Sequence, residues 1–386
     1  MMKVSQRLLE ISESSTTQLM GLVQQLKAQG QKIISFNAGE PDFNSPEPIL
    51  AATIAAIQAG KTKYGAVPGE PAVRAAIAHK LQQENGIPAQ AENILIANGS
   101  KQILYMLFQA LCNPGDEVIV LKPYWVTFPE GIRLAGGVPV FVDTLDHQPD
   151  LEAIRAAITP QTKAILINSP NNPTGAVYSR EALLEIGKLA LEKQIYVISD
   201  EAYEGLTYDG ARHISLASLD PAFADWVITT QTFSKSYCMT GFRVGYLVAA
   251  APLVKLINGM HSHLTGNVCT FAQYGALAAL EMDPAIMQEM QAVFQRRFDL
   301  AYPLCSELFD CVRPEGAFYL FPDVSRYLGE RFADDDALAA YLLKEAHVAV
   351  VPGSAFGAPG HLRISFSTGE ADIAEGFARI KQALGA

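Results

Sequence analysis

Between residue 46 and about residue 280 the chain alternates short apolar runs with stretches of helical spacing, and no other feature restricts its fold as much. The apolar runs are "NILIA", "NPGDEVIVL", "VPVFVD", "TKAILINSP", "QIYVISD", "DWVITTQ" and "VGYLVAA". Around them lie "PEPILAATIAAIQAG", "PAVRAAIAHKLQQENG", "KQILYMLFQAL" and "REALLEIGKLALEKQ", all with helical periodicity. Gly60 and Asn85-Gly86 end the first two where a helix C-terminus is expected. A strand covered on both faces reads as an unbroken apolar run. The alternation therefore predicts an α/β fold, a mostly parallel sheet with helices on both faces.

After about residue 285 the texture changes. A long helical run, "AIMQEMQAVFQRRFDLAYPLCSELF", leads into short strands, "GAFYLF", "VAVVPG" and "HLRISFS", and a last helix, "ADIAEGFARIKQALG". This predicts a smaller α+β domain. The expected organisation is an N-terminal segment, 1–45, packing with that small domain, a large domain, 46–285, and the small C-terminal domain, 286–386.

The formal net charge of -11 and the absence of a basic cluster argue against nucleic acid as a partner. Five scattered cysteines without a CxxC pair are expected to be reduced thiols, which points to the cytoplasm. Lys3, Arg7 and Glu10 interrupt the N-terminus, so no secretory leader is expected. No stretch reaches the roughly 18 apolar residues of a membrane helix.

Polar residues gather just past the predicted strands. Asn98-Gly99-Ser100-Lys101 follows "NILIA", "SPNNPTG" follows "AILIN", Asp200-Glu201-Ala202-Tyr203 follows "YVIS", and "TFSKSYCMTGFR" follows "WVITTQ". In a parallel sheet these positions share one edge, the carboxyl edge, where α/β folds bind ligands. The ligand can be narrowed. No G-x-G-x-x-G or P-loop motif is present. His261-Ser-His263 lacks a third partner nearby, so no metal site is expected. Pyridoxal phosphate needs a lysine for its aldehyde, an acid for its ring nitrogen and a phosphate cradle. Lys235, Asp200 and the helix start at Gly99-Ser100-Lys101 offer these, with Thr232, Ser234 and Arg243 as further phosphate donors.

Together, "NAGEPDF", "SPNNPTG", "SDEAY", "SKSYCMTGFRVGY" and "HLRISFS" resemble the class I/II aminotransferases of fold type I. "KTKYGAVPGEPAVRAAIA", "NGSKQ", "PYWVTFPE" and "SPNNPTGAVY" bring the resemblance closer to the bacterial aspartate and prephenate aminotransferase subgroup. The resemblance covers nearly the whole chain. It implies that Lys235 binds the cofactor as an imine and moves the α-proton. It implies that Asp200 pairs with the ring nitrogen, that Tyr203 and Asn172 bond the ring oxygen, and that Trp125 stacks on the ring. Thr232, Arg243 and the Gly99–Lys101 backbone would hold the phosphate. Arg363 would bind the substrate α-carboxylate, assisted by Asn172 and the Gly39 backbone. Tyr64 would reach the phosphate of a neighbouring subunit, so the resemblance implies a homodimer. Lys101 would meet the distal carboxylate of a dicarboxylic substrate. Two positions depart from the subgroup: Phe242 stands where tryptophan is common, and Glu13 where proline is common.

The implied activity moves an amino group between an L-amino acid, aspartate or glutamate first, and a 2-oxo acid. Aromatic or broad specificity is the alternative, as is a C–S β-lyase on the same fold. A regulator with a DNA-binding domain ahead of "NAGEPDF" is not expected, and intact Lys235, Asp200 and Arg363 argue against an inactive binding protein.

Overall fold

The computed structural model describes residues 4–9 and 11–385. Lys3 and Glu10, and the side chain of Arg7, lie outside that description. Its centre is an eight-stranded sheet. In chain order the strands are β1 (Ile94–Ala97), β2 (Glu117–Lys122), β3 (Val138–Leu145), β4 (Gln148–Pro149), β5 (Thr162–Asn168), β6 (Tyr196–Asp200), β7 (Val227–Thr232) and β8 (Gly245–Val248). Across the sheet the order is β1-β8-β7-β6-β5-β2-β3-β4. The β3–β2–β5–β6–β7 run is parallel. β8 is antiparallel to both β7 and β1, and β4 to β3. The reversal at β8 leaves β1 parallel to β7, so β1, β5, β6 and β7 all end on one edge, as the alternation predicts.

Alternate residues of these strands feed cores on opposite faces, as the period of two requires. Val118, Val120, Leu166, Ile198 and Ile228 pack with the helix Ser100–Leu111. Ile119, Ile165, Ile167 and Val197 pack with the helix Arg180–Lys193. That helix starts at Ser179, whose hydroxyl accepts from the Ala182 amide, and ends at Gln194 in the left-handed conformation. Gly60, at φ +74°, follows the helix Glu47–Gln58 where the sequence places its end.

A second sheet has the order β9 (Tyr319–Leu320), β11 (Leu362–Ser365), β10 (Val351–Pro352), antiparallel throughout. It shares a core with the helices Pro284–Leu308 and Glu370–Leu384. Ile34 and Phe36 enter this core, and Ile34–Ser35 pairs in parallel with Val348–Ala349. Among the described residues no helix is long and apolar enough to cross a membrane.

Candidate active site

Register brings the polar strand ends together. Asn168 lies beside Asp200, Asp200 beside Thr230, Thr232 beside Gly245, and Gly245 beside Ala97. Above them is a cavity of about 560 Å³. Gly39, Ser100, Lys101, Trp125, Asn172, Asp200, Tyr203, Thr232, Ser234, Lys235, Arg243 and Arg363 all line it. They come from segments as far apart as residues 39 and 363.

Lys235 sits in a single helical turn, Phe233–Ser236, directly after β7. The turn is capped by the Thr232 hydroxyl, which accepts from the Ser234 amide. Lys235 Nζ donates to the Gly39 carbonyl at 2.5 Å and lies 6.0 Å from the Tyr203 ring centre. Burial pushes its amine down to about 8, helped by Arg363 and Arg243 and opposed by Glu40 and Asp200. An amine in that range exchanges protons readily near neutrality.

Asp200 ends β6 and is 3% exposed. Burial pushes its carboxyl up to about 7, although the Ala202 amide and the Thr230 hydroxyl favour the anion. A carboxylate in this position needs a cationic partner to be charged at neutral pH. Tyr203 donates to or accepts from Tyr319 at 2.8 Å.

Arg363 lies on β11 and is 3% exposed. Its Nη1 donates to Asn172 Oδ1 at 3.0 Å and its Nη2 to the Asn37 carbonyl at 3.1 Å. The guanidinium lies 4.5 Å from the Tyr319 ring centre. Its Nε is buried without a partner. A buried cation with an unused donor, facing a cavity, suits a carboxylate.

The phosphate cradle is visible in what the glycines make room for. A side chain at Gly99, φ +80°, would strike Arg243 Nη2 at 2.6 Å, and one at Gly245 would meet Ser100 N at 3.0 Å. The absence of both side chains lets the Ser100 helix start, the Arg243 guanidinium and the β7 end converge. Arg243 is in the left-handed conformation and donates to the Thr240 carbonyl at 2.9 Å. Lys101 Nζ lies 5.2 Å from the Trp125 ring centre. Burial, then Arg243, holds its amine below the ordinary lysine value.

The free amine of Lys235, the buried acid of Asp200 and the cationic helix start therefore fit pyridoxal phosphate: an aldehyde, a pyridine nitrogen and a phosphate each meet a matching group. Tyr64 is apart from this cavity, 99% exposed. Tyr319, Asn168, Asn37, Glu40 and Thr240 also line the cavity, and sequence reading missed them. Tyr319 stands in "GAFYLF", whose apolar run signals a strand and nothing more. His261 is buried and His263 exposed on the helix Ala251–Leu264. Among the described residues the grouping with metal-ligand spacing is Glu201, Glu204 and His213.

These features define a pyridoxal-phosphate enzyme of the fold type I class. The family model for Aminotransferase class I and II matches residues 31–380, and the chain belongs to that family. It is 45% identical to the probable aspartate/prephenate aminotransferase of Aquifex aeolicus, over 99% of this chain and 98% of that one. It is 42% identical to the aspartate aminotransferase of Bacillus sp. (strain YM-2), over 98% of each. Among solved structures, the aspartate aminotransferase from Thermus thermophilus with maleate superposes with a TM-score of 0.95 at 40% identity, over 99% of this chain and 100% of that one. The chain is an aminotransferase that uses pyridoxal 5'-phosphate to move an amino group between an amino acid and a 2-oxo acid.

Proposed function

We propose that the preferred substrates are aspartate, glutamate and their 2-oxo acids. The observation that carries this reading is the pair of cations lining one cavity, Arg363 and Lys101. Arg363, with its fork and unused Nε, takes the α-carboxylate. Lys101 takes the distal carboxylate. The names of the relatives, and maleate in the Thermus thermophilus structure, support a dicarboxylate.

The lining of the cavity supports a role for each residue. Pyridoxal phosphate supplies an aldehyde to receive the amino group and a ring to accept the electron pair left by the α-proton. Lys235 would hold the aldehyde carbon, and its amine, once freed, would take the α-proton and return it. Asp200 would keep a proton on the ring nitrogen. Tyr203 and Asn172 would bond the ring oxygen, and Trp125 would pack on the ring. Ser100, Thr232, Ser234, Arg243 and the Gly99–Lys101 backbone would hold the phosphate. Gly39 and Asn172 assist Arg363. Two half-reactions, one per substrate, make a ping-pong cycle.

A broader specificity has its own support: the same cavity is lined by Thr16, Met20 and Val23 of the helix Ser15–Ala28. Lys101 is a point charge without a fork, so a substrate with a neutral or aromatic side chain meets no strict test there. The test is kcat/KM for aspartate and for phenylalanine in wild type and Lys101→Ala. The substitution is expected to lower the aspartate value by roughly ten- to a hundredfold and leave phenylalanine within about threefold. Equal losses would assign Lys101 to the phosphate side. Stoichiometric 2-oxo acid consumption without ammonia release separates transamination from β-elimination.

The chain acts in the cytoplasm as a homodimer. Exposed apolar surface supports the dimer: the fully exposed Tyr64, and the exposed Leu50, Ile54 and Ile57 of the helix Glu47–Gln58, suit a partner's surface. Sedimentation at assay concentration is expected to give a dimer, and Tyr64→Phe to weaken cofactor binding about tenfold by loss of one phosphate hydrogen bond. A fully active monomer would remove the shared site. The division into 1–45, 46–285 and 286–386 is supported by the two sheets having different main cores, with Ile34 and Phe36 in the second, which Ala202, Tyr203, Leu206 and Tyr208 of the large domain also enter.

A further inference from the structure

Behind Asp200 lies a buried polar cluster with no part in the roles above. Asp200 faces the cavity, and the next residue, Glu201, turns the other way, as neighbours on an extended chain do. The Glu201 carboxylate is fully buried. It accepts from Ser199 Oγ at 2.9 Å, Ser215 Oγ at 2.6 Å and Gln231 Nε2 at 3.2 Å. His213 Nε2 lies 3.0 Å away. An ionised carboxylate only accepts, so that nitrogen carries the hydrogen.

The same Gln231 amide donates to Glu204 at 2.7 Å, which joins the two carboxylates. Glu204 also accepts from Asn85 at 2.7 Å and, in a very short contact, from Lys80. Lys80 donates further to Asn85 at 2.8 Å and to Gln231 at 3.1 Å. Glu84, Tyr237 and Tyr246 also surround the cluster, Arg212 and Lys235 line the cavity beside it, and Asp200 lies on the far side.

The charges do not cancel unless His213 takes part. Among the groups joined by these hydrogen bonds, Glu201 is a fully buried anion, Glu204 a partly buried one, and Lys80 a cation. With His213 neutral the cluster carries one net negative charge; with His213 protonated it carries none. Burial pushes the imidazole down, but Glu201 and Glu204 outweigh this and hold it above the ordinary histidine value, against Lys80. Glu201 in turn pushes the Asp200 carboxyl up. A buried ion cluster of this kind is weak support for stability as such, since apolar replacements often do as well. Its distinctive property is a proton-dependent charge one residue from the acid of the active site.

We propose that Glu201 and His213 are positioning residues for the reaction, a proton-linked counter-charge that fixes Asp200 and sets how firmly it holds the proton of the cofactor's ring nitrogen. The proposal rests on the role of Asp200 given above. His213→Gln keeps an N–H for Glu201 but cannot be charged, which leaves the cluster negative. The proton on the Asp200 side is then held more tightly.

The experiment follows the holoenzyme in two ways. The first is the pH midpoint of its visible absorbance change, which is expected to rise in His213→Gln by roughly half a pH unit or more. The second is ¹⁵N-histidine NMR of the His213 ring, whose titration is expected to fall by about one unit or more in Glu201→Gln. An unchanged midpoint in His213→Gln, or an unchanged His213 titration in Glu201→Gln, would overturn the proposal. His213→Gln decides alone if Glu201→Gln does not fold. Asp200→Asn separates the two readings. If Asp200 is the ring partner, this variant shifts the midpoint by itself, and adding His213→Gln then moves it little further. If its midpoint equals wild type, the role of Asp200 fails, while the NMR titration still reports whether Glu201 and His213 act as a pair.

Discussion

Purified Lys235→Ala protein is expected to carry no covalently linked cofactor and to lose transamination with it. The amine of Lys235 is placed uniquely among the lysines of the site. It follows the β7 end, donates to Gly39, and is pushed down to about 8 by burial. Of the other lysines lining the cavity, Lys101 lies against Trp125 at the helix start and Lys27 donates to Ser35. Removing Lys235 takes away both the anchor and the group that moves the α-proton, so kcat is expected to fall by roughly four orders of magnitude or more. Borohydride reduction followed by peptide mass analysis checks the anchor directly. Wild type is expected to carry the added mass on the peptide containing Lys235. The variant is expected to carry none on any peptide, and a labelled Lys101 peptide would contradict the assignment.

Asp200→Asn is expected to bind the cofactor yet turn over about a hundred- to ten-thousandfold more slowly, because an amide cannot hold a positively charged ring nitrogen as a carboxylate does. The same residue gives a pH signature. Its folded carboxyl is raised from 3.8 to about 7, chiefly by burial. For an acid raised in this way, the favourable contribution is fully present below the unfolded value and is lost as pH rises through the folded one. The cofactor-free wild type is therefore expected to lose stability relative to Asp200→Asn between about pH 4 and pH 7, the window set by those two values. Cofactor should abolish that loss by giving Asp200 a cationic partner. Thermal melts of both proteins across this range, with and without cofactor, check it. Parallel melting curves would mean that Asp200 is charged and compensated without the cofactor.

Much of this was legible in sequence because it is local. The apolar runs that predict β2, β5, β6 and β7 are short, unbroken and flanked by helical spacing, and each became a buried parallel strand. Lys235, Asp200 and Arg243 could be singled out because each follows or precedes a strand end within a few residues. The direction of β8 could not be read in this way. "VGYLVAA" has the same apolar pattern whichever way it runs, and only its pairing with β7 and β1 makes it antiparallel. Strand lengths were also overread in the C-terminal part: "GAFYLF" yields only Tyr319–Leu320, and "VAVVPG" two pairs of residues separated by Val350.

The departures at Phe242 and Glu13 were visible as letters but not as contacts. Phe242 packs against Gly275, where an added side chain would come within 3.0 Å of its ring. Glu13 accepts from Gln18 at 2.6 Å at the start of the helix Ser15–Ala28.

The sequence by itself determined the alternation of strands and helices, the polar strand ends, and the chemical types available at each: an amine, an acid, a guanidinium, a glycine-opened helix start. These follow from periodicity and backbone freedom over a few residues. Tertiary structure decided which of them meet. Arg363 reaches Asn172 across 191 positions and Asn37 across 326, and Lys235 reaches Gly39 across 196. Only tertiary structure set the proton affinities, because burial and neighbouring charge depend on what folds over a group. Asp200 and Glu201 show the difference. They are adjacent acids with the same chemistry, and the extended backbone that separates their faces sends one to the substrate cavity and the other to Ser199, Ser215, Gln231 and His213.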